Sequence, residues 1–109
     1  MTATDRPHEQ KSSVWVGLAY VEPSPNSYDF ECLAGGYGFI ACRAVSIAEC
    51  VHLTSNVLAG QGIVLAAYEW LTRLDLYEHK LNEYQMRLVE GLETHPVQFE
   101  TFDWFKRVH

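Results

Sequence analysis

The residues best equipped for chemistry in this chain are Cys42, Cys50 and His52 on one side, and the carboxylates Glu69, Glu100 and Asp103 on the other. Thiols with an imidazole form either a metal site or a nucleophile with its base. Carboxylates do acid/base work when their environments push them apart. Spacing argues against the first set. Structural zinc takes four thiolate or imidazole ligands held at close intervals, and Cys50 and His52, two apart on a helix, face different sides. The simpler reading is two thiols buried as small hydrophobes beside an exposed histidine. The five histidines, His8, His52, His79, His95 and His109, show no HxH or HxxxH spacing. No metal and no cofactor is expected.

Glu69, Glu100 and Asp103 meet only if the strands that carry them are neighbours, and strands commonly place such residues on a solvated face. No catalytic residue is assigned, and the expectation is a protein that is not an enzyme. Gly35-Gly36-Tyr37-Gly38 is glycine-rich, but it lacks the Lys-Ser/Thr of a phosphate loop and precedes a strand instead of a helix. The acids gain a different meaning beside an aromatic. Glu69, Glu100, Asp103 and Trp104 are the expected binding surface, since aromatics rimmed by charge are enriched where proteins meet. For Trp15 the expectation is core, because a small domain needs large side chains between its layers.

These residues must be held by elements, and the elements are partly legible. Val14 to Val21 is apolar on both alternating faces and reads as a strand covered on both sides or nearly so. Tyr28 to Ala34 and Tyr37 to Val45 read as two strands joined by a Gly35-Gly36 hairpin turn. Ser46 with Glu49 is a capping box. Behind it Ile47, Cys50, Val51, Thr54, Val57 and Leu58 mark one helical face, and Gly60 or Gly62 supplies the left-handed stop. Ile63 to Leu74 carries both patterns and is assigned to strand. A second helix starts at Asp75 or Asn82, keeps Tyr77, Leu81, Tyr84, Leu88 and Leu92 at helical spacing, and ends at Thr94-His95-Pro96. Val97 to Phe105 alternates as a last strand.

That order predicts an α+β two-layer sandwich: a mainly antiparallel sheet with two helices on one face, in a ferredoxin-like layout. Residues 14–109 form a single domain, and residues 1–13 read as a disordered leader. At 109 residues, with three Trp, six Tyr and five Phe, the chain is long and apolar enough for one core.

The net charge of −6 restricts the partners. Between Glu69 and Asp103 lie eight acids and three bases, so the C-terminal part carries most of it. Nucleic acids and anionic membrane surfaces are excluded as partners, because both need a basic footprint. Cys32, Cys42 and Cys50 contain no CxxC pair, which suits a reducing compartment and a cytoplasmic location. A protein partner, basic in charge, is what acidity and aromatics point to. Small acidic domains without catalytic motifs resemble bacterial immunity or antitoxin-type inhibitors, a resemblance carried by size, charge and fold class alone. The alternatives are a small-ligand or metal-binding domain near Cys42, Cys50 and His52, and a homodimer formed through an exposed strand edge.

Overall fold

The computed structural model describes residues 11–108. Residues 1–10 of the expected leader lie outside that range, and Ser13 is already the first residue of a strand. The elements are β1 (Ser13–Pro23), β2 (Leu33–Ala44), α1 (Ile47–Ala59), β3 (Ile63–Arg73), α2 (Glu83–Glu90), β4 (Val97–Phe99) and β5 (Asp103–Lys106). Short 3-10 turns at Leu74–Leu76 and Glu78–Lys80 lead into α2, and another at Gly91–Glu93 leaves it.

The sheet is antiparallel throughout and runs β3-β1-β2-β4, with β5 also on β2. β4 and β5 follow one another along the same edge of β2. They are the two halves of the expected last strand, interrupted at residues 100–102. β1 and β2 pair from Ser13↔Ala44 through Trp15↔Cys42 to Val21↔Gly36, and form the centre.

Gly35 and Gly36 do not turn the chain. They lie inside β2, and the expected strand from Tyr28 is a run of turns up to Cys32. Their φ angles are ordinary, since Gly62 is the only glycine with positive φ among the described residues. The reason for these glycines is close approach. A Cβ on Gly35 would land on the Tyr20 ring, and one on Gly38 on the Phe102 ring. Aromatic rings lie directly on the bare backbone of β2.

Helix α1 begins as its sequence dictates. Ser46 Oγ accepts from the Glu49 amide at 3.1 Å, and the Glu49 carboxylate reaches back to the Val45 amide at 2.8 Å. Gly62, at φ 76°, turns the chain into β3. Between candidate caps for α2, the structure selects Asn82, with Asn82 and Gln85 capping each other reciprocally. Glu83 and Arg87 pair across one turn at 3.6 Å.

The helices sit on opposite faces of the sheet, which corrects the expected one-face, ferredoxin-like arrangement. One cluster joins Ala19, Val21, Ile40, Cys42 and Ala44 to Cys50 and Leu58 of α1. The other joins Val16, Phe39 and Ala41 to Leu92, with Leu88 and Val89 of α2 packed against it. Neighbouring strand residues point to opposite faces, so Ile40 and Phe39 head these clusters from two sides. The chain path gives the cause. α1 joins β2 to β3 over one face, and the segment from β3 returns to the far edge beneath the other.

Candidate functional site

α2 and its flanking turns cover only part of their face. Val14, Val16, Phe39 and Ala41 are under them, and Trp70 is closed by Tyr77 with ring centroids 4.5 Å apart. Further along the same face come Leu18 and Tyr20 of β1, Tyr37 of β2 and Phe105 of β5. None of these four belongs to either core cluster. Their common side follows from register: Leu18 opposes Phe39, Tyr20 opposes Tyr37, and Phe105 sits opposite Gly35, whose face is filled by the Tyr20 ring.

The three rings form a row across the sheet. Tyr20 and Tyr37 lie 5.1 Å apart with planes tilted by 50°, and Tyr37 and Phe105 are 5.6 Å apart in an edge contact. Phe105 is 46 % exposed, while Tyr20 and Tyr37 are half-buried. Ring pairs of this geometry hold each other in place and contribute about 0.5–1.5 kcal/mol beyond area burial. The row is therefore a fixed, partly wet aromatic surface.

Carboxylates flank it. Asp103 is exposed and directly opposite Tyr37, and Glu22 is exposed two residues beyond Tyr20, facing Val64 of β3. Lys106, next after Phe105, falls by alternation on the α1 side. Arg107 is occupied: it donates to the carbonyls of Phe30 and Leu33 and stacks on the Phe30 ring, tying the end of β5 to the β1–β2 loop.

The four residues expected to form a surface are divided. Glu69 lies on β3, at one edge of the sheet. Glu100, Asp103 and Trp104 lie at the other, on the β4–β5 segment. Three strand spacings separate these edges, roughly 14 Å. The convergence of Glu69 with Glu100 and Asp103 does not occur, because β3 and the β4–β5 segment lie at opposite edges of the sheet. Trp104 turns toward the α1 side, packing edge-on against Phe102 at 6.0 Å within the first cluster. Asp103 alone of the four borders the aromatic row. Trp15 is core as expected, its indole N–H satisfied by the Ala44 carbonyl at 3.0 Å.

The thiol and imidazole set is also divided. Cys42 and Cys50 are both fully buried between β2 and α1, with Cys42 Sγ 3.9 Å from the Cys50 carbonyl. A hydrogen bond to the Cys50 thiol, together with burial, pushes the Cys42 thiol well above its usual range. The same contact pulls Cys50 the other way. His52 is exposed and bonds to Asn56 at 3.2 Å, away from both thiols. Among the described residues no group of three or more His, Cys, Asp or Glu side chains is placed to hold a metal ion. Beside the thiols, Tyr68 donates to Thr54 Oγ1 at 3.2 Å, and burial raises the Tyr68 phenol above its ordinary value.

Sequence reasoning missed Tyr20, Tyr37 and Phe105. The available signal was the two-sided apolar pattern of β1, which includes Tyr20. Placing a turn at Gly35-Gly36 removed the Tyr20–Tyr37 pairing that would have carried it across to β2.

Compared with models of known protein families, with curated proteins and with solved structures, the chain matches none. No helix among the described residues is long and apolar enough to cross a membrane.

Proposed function

We propose that this chain is a small acidic protein-binding domain that receives a basic protein partner on the row Tyr20–Tyr37–Phe105. The observation that carries the reading is that row: three mutually braced aromatic rings, left outside both cores and rimmed by Glu22 and Asp103. Aromatics anchor interfaces because they bury a large area with little entropy to lose. Acids at the rim steer an oppositely charged partner and reject like-charged ones. The overall charge of −6 favours the same encounter.

In its fuller form the reading is an inhibitor of immunity or antitoxin type, which covers the basic active site of its target. Small size, acidity and an exposed aromatic sheet face support it. The test is capture from an extract of the source organism on immobilised wild-type chain and on Phe105→Ala and Asp103→Lys variants. The expected result is a basic protein retained by the wild type, released by salt, and depleted on both variants. Retention of the same proteins by all three baits, or of none by the wild type, would overturn the reading.

A further inference from the structure

The aromatic face is ordered in two ranks. Residues paired across strands point to the same side of a sheet, with Cβ atoms about 4.5–5.5 Å apart. Tyr20, Tyr37 and Asp103 therefore stand side by side on β1, β2 and β5. Two residues along, Phe105 opposes Gly35, and Glu22 falls at the same level, one step beyond the pair Val21↔Gly36. The ranks are thus Tyr20–Tyr37–Asp103 and Glu22–Gly35–Phe105, with a carboxylate at two opposite corners. Gly35 leaves the middle of the second rank bare, and the Tyr20 ring leans into that space, its hydroxyl where a Cβ would stand. Neither ring contact, one tilted and one edge-on, is a parallel stack, so these contacts cover no ring completely.

No base of this chain answers the two acids. Among the described residues the ion pairs are Arg73–Asp75 and Arg87–Glu83, and neither Asp103 nor Glu22 takes part in one. Lys106 falls on the α1 side, and Arg107 is held by the Phe30 and Leu33 carbonyls.

We infer that this patch receives an arginine side chain of the protein partner, its guanidinium laid against the Tyr37 ring and forked onto the Asp103 carboxylate. The assignment rests on the reading of the row as a docking surface and names the group that docks. Charge and shape select it together. Ring faces attract cations, and a carboxylate covered by an apolar or acidic guest loses water without a donor in return. A guanidinium is flat, stacks on aromatic rings, and donates two parallel hydrogen bonds to one carboxylate, whereas an ammonium is a compact point charge. The arginine stem is apolar and lies along Phe105. Glu22, at the far corner, steers the approach.

The test is a titration followed by NMR of the aromatic rings, with the blocked tripeptide acetyl-Gly-Arg-Gly-amide as probe. The lysine and glutamine counterparts serve as comparators. The arginine peptide is expected to shift the Tyr37 and Phe105 ring signals saturably, with a Kd in the millimolar range. The lysine peptide is expected to bind at least about threefold more weakly, and the glutamine peptide not to saturate. Asp103 is exposed, so Asp103→Asn leaves the fold intact, and it is expected to weaken arginine binding about fivefold. No saturable shift, lysine binding as tight as arginine, or equal affinity of wild type and Asp103→Asn would overturn the inference. Capture from the extract separates it from the wider reading. A basic protein depleted on Phe105→Ala but fully retained on Asp103→Asn would sink the arginine and leave the docking surface standing. Selective arginine binding with no protein retained would do the reverse.

Discussion

Tyr68 shows how one buried polar group constrains this molecule. Its hydroxyl reaches Thr54, the one fully buried polar side chain of the described core, and in doing so satisfies it. Replacing Tyr68 by Phe leaves the Thr54 hydroxyl without that partner, and is expected to cost about 1–3 kcal/mol at neutral pH. The change also has a pH signature. Burial raises the Tyr68 phenol above its ordinary value, so the unfolded chain releases this proton first as pH rises. The contribution of Tyr68 is thus complete below about pH 10 and is lost above it, as the pH climbs toward the folded-state value. Denaturant unfolding at several alkaline pH values is expected to show a shallower loss of stability for Tyr68→Phe than for the wild type. At the same scale, Cys32 is exposed while Cys42 and Cys50 are fully buried. A thiol reagent at neutral pH is expected to titrate one cysteine rapidly in the native chain and the other two only on unfolding.

At the scale of elements, β2 is the decisive strand, and its glycines are where sequence and structure part. A Gly-Gly pair between two strand-like runs is a sound hairpin signal. What the local pattern omits is that Tyr20 and Phe102, distant in sequence, need bare backbone to lie on. The difference is measurable. Gly38→Ala puts a methyl group into the Phe102 ring, which is itself buried, and is expected to destabilise by about 1–3 kcal/mol. Gly60→Ala is the control: its φ is −64° and its Cβ meets nothing closer than 3.4 Å, so it is expected to be neutral or stabilising by up to about 1 kcal/mol. Thermal unfolding of both variants checks the contrast.

The elements that could be read early were those specified locally. Ser46 and Glu49 fix the start of α1, Gly62 its exit, and Asn82 with Gln85 the start of α2. The strand assignment for Ile63 to Leu74 is met by Ile63–Arg73. The side on which α2 packs depends instead on long-range pairing. β1 carried a hint, since Val14, Val16 and Leu18 opposite Trp15, Ala19 and Val21 leave no polar face. Two apolar faces need two covers, and a layout with both helices on one side does not supply them.

At the scale of the whole molecule, incomplete cover leaves the aromatic row exposed. The sheet needs cover on both faces, and α2 is a helix of eight residues. It reaches Val16, Phe39 and Ala41 but not Leu18, Tyr20, Tyr37 and Phe105. The candidate surface is what a short helix leaves bare. Only Asp103 of the residues singled out from sequence borders it: Trp104 packs on the α1 side, and the sheet order places Glu69 at the opposite edge from Glu100. Of the acids in the C-terminal part, Asp103 borders this row, opposite Tyr37.

Whether the row Tyr20–Tyr37–Phe105 binds a basic protein is decided by titration calorimetry of the captured partner. Wild-type chain is to be compared with Phe105→Ala, at low and at raised salt. The prediction is a loss of affinity of at least about tenfold on removing the Phe105 ring, together with weakening of the wild type as salt increases. Equal affinity for wild type and Phe105→Ala would show that the row is not the binding surface.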